Sequence, residues 1–169
     1  AVGNALDKLG SPFVIKPAEG GGGEGVILEG RTMADLDNAL AESKSGKIIL
    51  QKRVQPRLLQ GRRAWFRVFY VLKKVIPCWW DDHTHLYHPA DDLEPELAQA
   101  LCSMVLRIAA IADISFFSSE IALTQEGELL VIDFVNEMCD MRLQSRHVDG
   151  VPDHLVRHII QLLLSSSPA

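Results

Sequence analysis

Cysteine is scarce in this 169-residue chain, and the three present (Cys78, Cys102 and Cys139) are odd in number and lack metal-ligand spacing. That argues against a disulfide framework or a zinc site and for a reducing, cytoplasmic setting. Positive charge is also short: 17 Lys and Arg against 22 Asp and Glu give a formal net charge of −5. An acidic chain argues against nucleic acid or an anionic membrane as the main partner. No apolar run approaches transmembrane length, no signal peptide is visible, and no internal repeat occurs. Low complexity is confined to the "SSSPA" tail. What is there, 47% apolar and 23% charged residues, is the composition of an ordinary globular protein. Its length suffices for one sizeable core or for two small lobes sharing a groove. Ala1 is not a methionine and a strand follows within a dozen residues, which reads as a fragment of something longer.

The order of elements is α+β. Phe13–Lys16 and Gly25–Glu29 read as strands, with β-branched residues on both sides of a glycine run. Thr32 is an N-cap with Asp35 in the first turn, and Met33, Leu36, Ala39 and Leu40 form one face of a helix reaching about Lys44. Lys47–Gln51 is a short strand. Ala64–Val71 and Lys74–Trp80 form a hairpin around Leu72-Lys73. Pro95 to Asp113 is a helix with Leu97, Leu101, Met104, Val105, Ile108 and Ala112 on one stripe. A last helix runs from about Pro152 to Leu164.

Glycine is concentrated in one place. "FVIKPAEGGGGEGVILEG" puts Gly20, Gly21, Gly22, Gly23 and Gly25 within six positions, behind Lys16 and before a second apolar run. Glycine costs conformational entropy, so such a run needs a reason. A strand ending in lysine, then a glycine-rich turn, can lower backbone N–H groups onto phosphates, with the lysine as a point charge. Neither the P-loop nor the dinucleotide fingerprint is present, because a strand rather than a helix follows. The bland alternative is a mobile hairpin loop.

A second concentration is acidic. In "FFSSEIALTQEGELLVIDFVN" two apolar runs flank Glu126-Gly127, the signal of a two-residue hairpin turn. That register sets Glu120 directly opposite Asp133. Like charges placed opposite are destabilising, so something positive belongs between them. A hard divalent cation such as Mg²⁺ is the usual solution, and Asn136 could add a neutral oxygen. The alternative is a solvent-facing hairpin with two unrelated acids.

The succession "VIKPAEGGGGEGVILE", "IILQKRV", "FRVFYV" and "EIALTQEGELLVIDFVN" resembles the ATP-grasp superfamily, within it the ribosomal-protein glutamate ligases and glutathione synthetases. The resemblance runs from about Gly10 to Leu164. It implies two lobes with antiparallel sheets clamping a nucleotide: residues 1–50 as the small lobe with the phosphate flap, and 51–169 as the larger lobe. ATP and Mg²⁺ are the implied cofactors. The implied chemistry joins a small-molecule or peptide carboxylate to an amine or thiol through an acyl phosphate. By the same resemblance Lys16 touches the α- and β-phosphates, and Gly20, Gly21, Gly22, Gly23 and Gly25 form the flap. Gln51, Lys52, Arg53 and Val54 form the hinge whose backbone holds adenine. Arg67 matches an arginine of related ligases, and Glu120, Asp133 and Asn136 match the Mg²⁺ ligands.

Some positions depart from the family pattern. The acids are exchanged, Asn136 lies three rather than two residues beyond the second acid and so requires a bulge, and Lys52 and Trp65 stand where acids are usual. The lobe that normally precedes the clamp is absent, so an N-terminal lobe or partner chain is expected. Alternatives to a ligase are a degenerate or truncated nucleotide-binding module without catalysis and a small-molecule kinase on the same clamp.

Other clusters carry two readings. His83, His85 and His88 with Asp81 and Asp82 form a metal cluster or a solvated hairpin tip near substrate, with Trp79 and Trp80. "KRVQPRLLQGRR" gathers around a triphosphate or is a solvated loop. Arg142 binds a substrate carboxylate, and would then be catalytic with Arg67, or pairs with Asp140. Cys139 reads as a small buried cysteine rather than a nucleophile.

Overall fold

The computed structural model describes residues 2–20, 23–136 and 138–165. The chain divides into two units, Ala1–Val54 and Gln55–Ala169. The division falls just after the strand that begins the expected hinge.

The first unit runs α1 (Val2–Leu9), β1 (Phe13–Pro17), β2 (Ile27–Gly30), α2 (Met33–Glu42) and β3 (Ile48–Lys52). Its strands form an antiparallel sheet in the order β2-β1-β3. The start of α2 follows from the sequence: Thr32 accepts from the Asp35 amide, and Asp35 accepts from the Thr32 amide, a reciprocal cap that satisfies two orphan donors. Its inward face is narrower than the periodicity suggests. Leu36 and Ala39 are buried with Phe13 and Ile15, while Met33 and Leu40 are exposed. Strand alternation puts Val14 and Lys16 on the opposite face of β1, paired with Gln51 and Ile49 of β3. Gly30 is small because it must be: a Cβ there would lie 2.9 Å from both Ile15 Cδ1 and the Phe13 ring.

The second unit holds β4 (Leu58–Leu59), β5 (Arg62–Arg63), β6 (Trp65–Val71), β7 (Lys74–Trp80), β8 (Tyr87–His88), α3 (Pro95–Ala112), β9 (Phe116–Leu123), β10 (Leu129–Asn136) and α4 (Asp153–Ser165). Five strands form an antiparallel sheet in the order β10-β9-β6-β7-β8. The β6–β7 turn is Leu72-Lys73, both at positive φ (48° and 72°), the backbone a two-residue hairpin demands. One sheet face, with Phe66, Val68, Phe117 and Ile121, packs on Leu101, Val105 and Ile108 of α3. At 18 residues and mean hydropathy 1.3, α3 is long and apolar enough to cross a membrane by length and composition alone, which corrects the reading that no segment is. Here it supplies one wall of a core.

The β9–β10 hairpin corrects a second expectation. The connection is a three-residue loop, Gln125 to Gly127, rather than a two-residue turn: the Thr124 amide donates to the Glu128 carbonyl, and Gly127 takes φ 89°. Alone, that register would misalign the acids by one residue. An irregularity between Val131 and Asp133 restores the pairing of Asp133 with Glu120. Another, between Asp133 and Asn136, brings Asn136 into register with Ser118. The buried Ser119 hydroxyl donates to the Phe134 carbonyl inside this second irregularity, satisfying a group that the broken ladder leaves over.

Candidate functional site

The sheet of the second unit carries a row of four residues at one level: Cys78 on β7, Arg67 on β6, Glu120 on β9 and Asp133 on β10 are successive register partners. Register partners share a face, so these side chains stand side by side on the surface opposite α3. The positive group that the two acids call for is in part the protein's own. Arg67 forms an ion pair with Glu120, with both side chains largely buried (15% and 13% exposed). Its other fork atom lies 3.5 Å from Ser118 Oγ. The guanidinium carbon sits 4.7 Å from the centre of the Trp80 ring, so the same cation is held by an indole face as well. Arg67 Nε is buried and has no hydrogen-bond partner among the described residues. Sequence reading placed Arg67 by resemblance but missed this contact, because it depends on pairing strands more than fifty residues apart.

Two opposed carboxylates supply hard oxygen donors of the kind Mg²⁺ takes. Among the described residues no three His, Cys, Asp or Glu side chains gather as a metal cluster. A cation held by Glu120 and Asp133 would therefore complete its shell with Asn136, water or phosphate oxygens. Glu120 and Asp133 fit the metal in donor type and in strand register.

The rim of this face is buried. Tyr87, paired with Trp80 across β7–β8, has its hydroxyl pushed up by burial, with Arg67 opposing that shift. Burial pushes the Cys78 thiol up to about 12. Cys139 is also raised, first by burial, against lowering contributions from Ser118 and Arg67. None of the three cysteines forms a disulfide among the described residues. A thiol held protonated by burial is a poor nucleophile, in line with the small buried cysteine read from sequence.

The remaining candidates resolve differently. Arg142 is held between Asp140 (2.7 Å) and Asp149 (2.8 Å), so its guanidinium is already engaged by carboxylates of its own loop, the internal pairing that the sequence left open. Both acids are held below the usual carboxylate range, chiefly by hydrogen bonds from Arg142. The histidine segment is a turn, and among the described residues it gathers no metal cluster. Asp81 Oδ1 accepts from the His83 and Thr84 amides and from Thr84 Oγ1, and His85 stacks on Trp80 with ring centres 5.2 Å apart. The basic run is spread over separate partners: Arg53 on Glu29, Arg57 on the Gln125 carbonyl, Arg62 on Asp92 and Arg63 bidentate on Asp82. It makes no concentrated polyanion patch. Gly61, Arg62, Arg63, Trp79, Trp80, Asp81 and His88 line a cavity of about 270 Å³.

In the first unit Lys16 is half-buried near the end of β1, and among the described residues it has no carboxylate within ion-pair distance. Gly20, Gly23 and Gly25 all take positive φ (126°, 78° and 72°). A Cβ on Gly25 would in addition stand 3.0 Å from Pro17 Cγ. A side chain at these positions would be strained, and glycine is not. Gly21 and Gly22 lie outside the described residues. Gln51 and Lys52 close β3 opposite Val14 and Phe13, and Arg53 and Val54 follow as the last residues of the unit. The Asn136 backbone is placed by its pairing with Ser118.

No protein-family profile matches the sequence, and no curated relative does. Solved structures do. N5-carboxyaminoimidazole ribonucleotide synthetase (purK), in its ADP complex, superposes with a TM-score of 0.61 at 21% identity, over 78% of this chain and 36% of that one. The ATP-grasp ligase PsnB, complexed with precursor peptide PsnA2 and AMPPNP, gives 0.60 at 14% identity, over 95% and 49%. Biotin carboxylase from Campylobacter jejuni, as a β,γ-ATP complex, gives 0.60 at 20% identity, over 96% and 39%. The chain thus spans between about a third and a half of these proteins. Likeness at such identity establishes architecture, and the architecture agrees with the strand order and the acid hairpin: this chain has the ATP-grasp fold.

Proposed function

We propose that the chain binds ATP with Mg²⁺ and forms the nucleotide-binding part of a carboxylate–amine, or carboxylate–thiol, ligase. The observation that carries this reading is the Arg67–Glu120–Asp133 row, in register on three adjacent strands, within a fold whose solved neighbours hold ADP or ATP analogues. Glu120, Asp133 and Asn136 would hold the metal, which when bound supplies positive charge against the phosphoryl oxygens. Lys16 would add a second positive charge, and the turn Gly20–Gly25 would donate backbone N–H groups to the phosphates. The backbone of Gln51–Val54 would meet the adenine edge. Arg67 offsets negative charge that develops on a transferred phosphoryl group or on the carboxylate receiving it. Exclusion of water by the glycine turn would protect an acyl phosphate from hydrolysis. The carboxylate comes from a small molecule or a peptide; PsnB is solved with a precursor peptide.

Hydroxylamine trapping tests this. An acyl phosphate formed from ATP and a carboxylic acid is captured as a hydroxamate. Incubation of the chain with Mg-ATP, hydroxylamine and a panel of carboxylic acids and acidic peptides is expected to give hydroxamate and ADP with at least one acid. A phosphorylated alcohol without hydroxamate would mean a kinase. Nucleotide binding without turnover would mean a binding module.

A further inference from the structure

Within the acid row, Arg67 is held from two sides at once. It pairs with Glu120, which the proposed metal also needs, and it lies over Trp80 with a buried Nε that has no hydrogen-bond partner among the described residues. A guanidinium and a divalent cation cannot both claim the Glu120 carboxylate at full strength, since each raises the cost of the other's charge nearby. Asp133, in register with Glu120 on the far side from Arg67, is the natural second anchor for the cation.

We infer that Arg67 is stored on Glu120 and is handed to an oxyanion, phosphoryl or carboxylate, when a divalent cation takes Glu120 and Asp133. Cation binding weakens the Arg67–Glu120 pair, and the released fork, together with its unpartnered Nε–H, meets the anion. Arg67 then reports on the metal and selects the anion, so that neither binds well without the other. The inference rests on the metal reading above and goes beyond it by coupling the two ligands through a single side chain. Trp80 is a built-in reporter, because movement of a cation 4.7 Å from an indole alters its emission.

The test titrates the full chain with MgCl₂ while following tryptophan emission and heat, then with inorganic phosphate and with acetate, each with and without Mg²⁺. The expected result is an emission change on Mg²⁺ binding that Trp80→Phe abolishes. A gain of about fivefold or more in affinity for at least one anion should accompany Mg²⁺, with the same factor in Mg²⁺ affinity when that anion is present. A gain for phosphate alone assigns the fork to the nucleotide; a gain for acetate alone assigns it to the acid substrate. Glu120→Gln should give the raised anion affinity without Mg²⁺, which also carries the test if Trp80→Phe fails to fold. Heat of Mg²⁺ binding with unchanged anion affinity, or loss of anion binding in Glu120→Gln, would overturn the inference and leave the metal site standing. Absence of any Mg²⁺ heat would remove the metal reading itself, and the inference with it.

Discussion

Lys16, with no carboxylate within ion-pair distance among the described residues, lies on the sheet face opposite the small core, just ahead of a glycine turn. Lys16→Met keeps the apolar stem and removes the charge. Nucleotide affinity should fall by ~1.5–3 kcal/mol, the range of a hydrogen bond to a charged group, while stability changes by less than about 0.5 kcal/mol. Calorimetry with Mg-ATP beside a melting curve checks both, and a melted protein with intact affinity would make Lys16 structural. Arg142 makes the opposite case, a cation already engaged. Its hydrogen bonds hold Asp140 and Asp149 down, so the stability they contribute is full above the unfolded carboxyl value, about 4, and is lost as pH falls through their lower folded values. Arg142→Met should therefore lower stability most near pH 7 and progressively less as pH falls through those values, which flattens the acid limb of the stability profile. An unchanged acid limb would contradict the assignment. At this scale the sequence was legible where chemistry is local, as in the Thr32–Asp35 cap. It was not where a partner comes from a distant strand, as with Arg67 on Glu120 or Trp80 beneath Arg67.

The β9–β10 hairpin shows how an element can be right for a wrong reason. Alternation and Glu126-Gly127 pointed to opposed acids, and the acids are opposed, but through a three-residue loop compensated by a bulge. Loop length follows from the side-chain contacts of Thr124, whose hydroxyl accepts from the Glu128 amide, a detail that a dipeptide signal does not carry. The two-residue strands β4, β5 and β8 were illegible for a related reason: β4 and β5 exist by pairing with each other and β8 by pairing with the edge of β7, contacts that a two-residue stretch does not announce. The long α3 was legible because its burial stripe repeats. Two substitutions test the packing. Gly30→Ala would force a methyl within 2.9 Å of Ile15 and the Phe13 ring and should cost about 1–3 kcal/mol, as overpacking does. Leu101→Ala, at a fully buried position of α3, should cost ~2–5 kcal/mol. Thermal unfolding reads both, and a neutral Gly30→Ala would show that β2 yields freely.

The whole molecule is two units, each with its own sheet and core, built on the ATP-grasp fold and spanning part of the length of its structural neighbours. Its activity is proposed, and one property underlies every version of the proposal: metal-dependent binding of ATP. Isothermal titration of the chain with ATP, with and without Mg²⁺, tests it directly, with Asp133→Asn as the control. The account predicts saturable binding that Mg²⁺ tightens, with the Mg²⁺ gain reduced in Asp133→Asn. No binding at millimolar ATP, or binding that Mg²⁺ and Asp133→Asn leave unchanged, would contradict it.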